Sequence, residues 1–145
     1  MLYRPQYFKL YELVSPNIYH QFKEFAWNFL DVGLLQDIDL LREKWGKPLI
    51  INNWYKGGQY RESGMRCNID NIVKNKTTAY CSGHVLGKAY DIKPQKMSDL
   101  TDLYLCTIDN YDNFQSLSRL ENIIKTPTWQ HIDCLQPRNT QILIF

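Results

Sequence analysis

Two segments far apart in this chain read as short strands, and any fold it adopts must account for what they carry. The first closes Ser82-Gly83-His84-Val85-Leu86-Gly87-Lys88-Ala89-Tyr90-Asp91; the second is Trp129-Gln130-His131-Ile132-Asp133. Side chains alternate along a strand, so from Ala89 to Ile92 the residues Ala89 and Asp91 share one face while Tyr90 and Ile92 share the other. From Trp129 to Cys134 the same rule puts Trp129, His131 and Asp133 together, with Gln130, Ile132 and Cys134 behind them. Gly83 and Gly87 bracket His84 and permit a tight turn, and Gly87 with Ala89 leaves space that a larger side chain would fill. His84 then lies on an incoming loop and Asp91 on a rigid strand.

Two imidazoles and a carboxylate form the ligand set of a catalytic zinc that keeps a fourth position open. His84, Asp91 and His131 supply that set, although cobalt or nickel suits the same donors. Asp133 shares a face with His131, but residues two apart on a strand are separated by roughly 6.5–7 Å. That span is awkward for one ion with bonds near ~2 Å, so Asp133 fits better behind the ligands, orienting a histidine or a substrate group. Cys81 and His84 have the Cys-x-x-His spacing of some structural zinc sites.

The first segment matches Ser-x-His-x-x-Gly-x-Ala-x-Asp at every specified position, and the second contributes Trp-x-His. In these residues the chain resembles the zinc D-Ala-D-Ala carboxypeptidase and L-alanyl-D-glutamate endopeptidase family, which cuts peptidoglycan peptides. The resemblance covers roughly residues 50–134 and is sharp around the ligands. It implies one zinc per chain on His84, Asp91 and His131, a peptidoglycan stem peptide as substrate, and a phage-type member of the family. Ser63-Gly64-Met65-Arg66 is similar to the Ser-Gly-Tyr-Arg stretch that precedes the first metal histidine in the family. By that match Arg66 holds the substrate carbonyl or carboxylate, a task that suits the guanidinium fork. Tyr60-Arg61 offers Arg61 as an alternative.

One position departs from the family. Many members carry Glu-x-x-His before the last metal histidine, and here Thr128 occupies the glutamate position. Amide hydrolysis still needs a carboxylate to take a proton from water and deliver it to the leaving amine. Glu121 is the first candidate, in a segment 118–124 apolar enough to pair with the strand of His131 across a turn at 125–127. Paired opposite Asp133, it faces the metal; a slip of one residue turns it away. Asp133 and Glu62 are the other candidates. Three readings follow: a peptidase, either carboxypeptidase or endopeptidase; a metal-binding wall-binding or virion module that has lost its base; and a metal-bound domain with a quite different partner, such as a signalling ligand built on the same fold.

With 145 residues, 44% hydrophobic and 22% charged, the chain has the composition of a single globular domain. A net charge of +2, with the signs interspersed, gives no footprint for nucleic acid. No apolar run approaches membrane length, and the segment 1–7 has no signal-like apolar core. Four irregularly spaced cysteines point to free thiols and a reducing compartment. Together these place synthesis in the cytoplasm, with access to cell wall only after release or in a phage particle.

The remaining pattern predicts an α+β fold: amino-terminal helices packed on a small, mainly antiparallel sheet that carries the ligands. Tyr7 to Val14 reads as an edge strand or extended arm. Ser15 caps a helix with Pro16 at its first position, and Ile18, Phe22, Phe25, Ala26 and Phe29 recur at helical spacing up to Leu30. A second helix spans Leu34 to Trp45 and stops at Gly46 and Pro48. Ile50 to Trp54 reads as a strand, Ser98 to Asn110 as a helix capped by Ser98, and Thr140 to Phe145 as a strand with Ile142, Leu143 and Ile144 buried.

Overall fold

The computed structural model describes residues 3–145 and has the expected α+β class, with four α-helices and a five-stranded, mostly antiparallel sheet. The helices are α1 (Leu10–Leu13), α2 (Pro16–Phe22), α3 (Val32–Trp45) and α4 (Leu100–Asp109). The strands are β1 (Leu49–Ile50), β2 (Ala89–Pro94), β3 (Arg119–Leu120), β4 (Gln130–Asp133) and β5 (Leu143–Ile144). They lie in the order β1-β2-β4-β3-β5, all neighbours antiparallel except β3 and β5. Among the described residues, no helix is long and apolar enough to cross a membrane.

Local chemistry explains most boundaries. Ser15 Oγ accepts the Ile18 N–H at 3.4 Å and Pro16 opens α2. Asp31 Oδ1 accepts the Leu34 N–H at 3.0 Å at the start of α3, and Gly46 closes it in the left-handed region at φ 74°. The predicted helix through Leu30 is interrupted. Lys23 takes φ 51°, and Lys23–Phe29 continues as a tighter 3-10 helix. In that geometry Ala26 and Trp27 turn inward, whereas Phe22 and Phe25 are exposed and stack edge-on against Phe29 instead of entering the core.

Four further expectations change. The segment 7–14 is not an extended arm, because Leu10–Leu13 closes a helical turn fixed by the Glu12 carboxylate on the Lys9 N–H at 2.8 Å. The strand predicted from Ile50 to Trp54 is confined to Leu49–Ile50, since Trp54–Lys56 folds into a 3-10 turn. Ser98 makes no cap: its hydroxyl bonds Asp99, and Met97–Asp99 forms a 3-10 turn ahead of α4. At the carboxyl end only Leu143–Ile144 pairs, and both residues are over a third exposed, because β5 is the outer strand of the sheet.

The core fills the space between α3 and the sheet. Leu34, Leu35, Ile38 and Leu41 from α3 join Tyr90 and Ile92 of β2, Leu120 of β3 and Ile132 of β4 in one buried cluster. Period-two alternation therefore leaves Asp91 and His131 on the other side of the same strands. Two buried acids of α3 tie loops to this core. Asp39 accepts Tyr3 Oη and the N–H groups of Gln6 and Tyr7; Asp37 accepts the N–H groups of Gln115, Ser116 and Leu117 at 2.6–2.7 Å. The second set fixes the approach of the chain to β3.

Candidate metal centre

The turn that presents His84 is built by hydrogen bonds from Leu86 N–H to Ser82 O and from Lys88 N–H to Gly83 O. Gly87 has φ 69°, and a Cβ there would collide with the Phe29 carbonyl, so the turn requires glycine for both conformation and space. The His84 Nδ1 lies 2.9 Å from Gly64 O. A carbonyl can only accept, so Nδ1 carries the proton and Nε2 presents a bare lone pair.

Asp91 and His131 face each other across the β2–β4 pairing. His84 Nε2 is 3.3 Å from Asp91 Oδ1 and 3.3 Å from His131 Nδ1, and His131 Nδ1 is 2.8 Å from Asp91 Oδ1. Tetrahedral zinc with bonds of ~2.0–2.1 Å places its ligand atoms roughly 3.3 Å apart. The triangle therefore fits a single ion, and its shorter edge is a hydrogen bond that the ion would replace. This His-Asp-His group can hold a metal ion. Cys81, although spaced for it, is an exposed free thiol outside the group.

Behind the triangle stands Asp133, fully buried. Its Oδ2 is 3.2 Å from His131 Nε2 and keeps a proton there, so the proton a metal would displace is the one on Nδ1, held by Asp91. Arg119 grips both carboxylate oxygens, Nε on Oδ1 and Nη2 on Oδ2, each at 2.7 Å, and the Leu135 N–H adds a bond of 3.1 Å to Oδ1. Burial opposes charge on each member of the cluster, and the outcome differs by partner. His84 is pushed down by burial despite Asp91. His131 is lowered by burial, but its hydrogen bonds to Asp133 and Asp91 outweigh that and raise it to about 9. Asp91 is raised by burial, yet His131 and His84 hold it well below the usual carboxylate range.

Arg66 is buried beside the triangle. Its Nη2 donates to Asp91 Oδ2 at 3.2 Å and its Nε to the Glu62 carbonyl. Arg66 also lines a cleft of about 510 Å³ together with Tyr60, Ser63, Asp91, Lys93 and Trp129, while Arg61 sits exposed on its wall. Glu62 reaches the same cleft, but both its carboxylate oxygens accept backbone N–H groups, of Asn71 at 3.0 Å and Ile72 at 2.9 Å.

Glu121 is not opposite Asp133. Arg119 holds that position, and Glu121 lies two residues further on, where its N–H bonds His131 O at 3.0 Å. A shift of two preserves the face, so Glu121 stays on the row of Arg119 rather than that of Leu120. Its carboxylate makes no hydrogen bond or ion pair among the described residues and does not line the cleft. Arg119 and Lys93 are site residues that the sequence reading did not single out. Lys93 follows Asp91 by two on a strand that runs past Ile92 to Pro94, beyond the end that the sequence pattern gives it.

Comparison of the chain with family models, with curated proteins and with solved structures found no match.

Proposed function

We propose that the chain is a zinc-dependent peptidase that hydrolyses an amide bond in peptidoglycan stem peptides. The observation that carries this reading is the triangle of His84 Nε2, His131 Nδ1 and Asp91 Oδ1 beside a cleft that contains Arg66. Zinc held by these three residues supplies Lewis acidity for the scissile carbonyl and for the attacking water. The chain supplies the rest. Asp133 and Arg119 hold His131 in one tautomer and one orientation. Arg66 offers its guanidinium to the carbonyl oxygen as negative charge develops on it. Asp133 has four donors on its carboxylate and Glu62 has two backbone donors, so neither is free to carry a proton. Glu121 has no such commitment and lies on the row of His131, which makes it the proton carrier in this scheme.

The place of Glu121 outside the cleft, together with Thr128 at the Glu-x-x-His position, favours a second reading: a metal-holding module that binds wall peptides without cutting them. One experiment separates the two. Purified protein is expected to contain about one zinc per chain, to lose it in His84→Ala, Asp91→Ala and His131→Ala, and to release products from stem peptides unless a chelator is present. Undiminished zinc in all three variants refutes the site. Full zinc with tight binding and no cleavage establishes the binding module.

A further inference from the structure

The floor of the cleft contains a buried cation with no anionic partner. Lys93 lies on β2 and is 3% exposed. Its ammonium donates to Ser63 Oγ at 2.9 Å and to the Asp91 carbonyl at 3.1 Å, and it lies 4.4 Å from the centre of the Tyr60 ring. All three partners are neutral, and among the described residues no carboxylate oxygen comes within ion-pair distance of it. A buried charge without a counter-ion is costly and is normally paired or replaced.

The surroundings do not supply the missing charge. Arg66 and Arg61 line the same cleft and add positive charge. The Asp91 carboxylate is engaged by Arg66 and the two histidines, and the Glu62 carboxylate is turned to the backbone of Asn71 and Ile72. Ser63 is held in place from both sides, its N–H on Asn52 Oδ1 and its carbonyl accepting the Asp91 N–H, so the hydroxyl and ammonium form a fixed pair.

We propose that Lys93 and Ser63 form a subsite for a carboxylate of the peptide, next to the bond that is cut. This deepens the peptidase reading and rests on it. Lys93 shares a face of β2 with Asp91, and its ammonium bonds the main-chain carbonyl of Asp91 itself. Ser63, Lys93, Asp91 and Arg66 all line the one cleft. A carboxylate held there therefore belongs to a residue adjoining the scissile bond. It is either that residue's chain terminus or an acidic group on it. Recognition of the terminus makes the enzyme a carboxypeptidase; recognition of an acidic group makes it an endopeptidase that requires an acidic residue.

The test uses the zinc-loaded chain and three acetylated stem-type peptides: one ending in a free carboxylate, its carboxamide, and a carboxamide with an internal D-glutamate. Binding is measured by calorimetry and cleavage by product release. The proposal expects a carboxylate peptide to bind about 10- to 100-fold more tightly than the neutral carboxamide. The preferred one of the two identifies the source. Lys93→Met, which keeps the apolar stem on Tyr60, is expected to erase the preference through KM while zinc content stays unchanged, and Lys93→Arg to retain part of it. Equal affinity of the wild-type chain for all three peptides overturns the subsite, with or without the variants. A carboxylate preference in binding with no cleavage of any peptide leaves the subsite standing and sinks the peptidase reading alone.

Discussion

Replacing Asp133 by asparagine probes the support of the metal centre without changing its shape. The carboxylate accepts four donors, two on each oxygen: Arg119 Nε and Leu135 N–H on Oδ1, Arg119 Nη2 and His131 Nε2 on Oδ2. Asparagine keeps one oxygen and turns the other position into a donor, so in either orientation two donors lose their partner. Each donor left unsatisfied in a buried place costs about 1–3 kcal/mol. The Arg119 side chain is 19% exposed and recovers part of this from water, which leaves about 2–4 kcal/mol. For a chain of this size that corresponds to a fall of about 5–15 °C in Tm. The loss of negative charge behind His131 also weakens metal binding by about 10- to 100-fold. Thermal unfolding of the metal-free protein reads the first effect, and competition with a chromophoric chelator reads the second. Unchanged Tm together with unchanged zinc affinity would refute the role assigned to Asp133.

Proton linkage offers another check. With His131 raised from 6.5 to about 9, its contribution to the stability of the metal-free fold is complete below the unfolded value and disappears as pH rises through about 9. Zinc must displace that proton, so calorimetry in buffers of different ionisation enthalpy is expected to detect release of about one proton near neutral pH and none above about pH 10. Glu121→Gln is expected to lower turnover of a cleaved stem peptide by ~10²–10⁴-fold with zinc retained; near-normal turnover would remove Glu121 from the scheme.

The convergence of His84, Asp91 and His131 was legible because strand parity and the glycine-bracketed turn are local properties. Ser15, Gly46 and the α3 core positions were legible for the same reason. The register of β3 was not. That strand is two residues long, and its approach is set by Asp37, on a helix far away in sequence, capturing three N–H groups. No pattern within 118–124 contains that information, so Glu121 was placed two residues from where it pairs. Lys93 carries no such signal, because a lysine predicts a strand end and solvent. Here the strand continues, and Ser63, Asp91 and Tyr60 surround the ammonium. The break at Lys23 arises from packing of Ala26 and Trp27, a choice that helical spacing alone does not distinguish from burial of Phe22 and Phe25.

Asp91 divides its two oxygens between different tasks: Oδ1 faces the histidines and Oδ2 faces Arg66. Whatever draws electron density toward one oxygen withdraws it from the other. On the proposed reading, an ion on Oδ1 would change how strongly Arg66 is held, and so how much of its charge remains for a bound peptide. Thermodynamic reciprocity would then require that a peptide engaging Arg66 alter the affinity for the ion by the same factor. Ion and peptide would be coupled through one carboxylate, and the rate of zinc release would report what occupies the cleft.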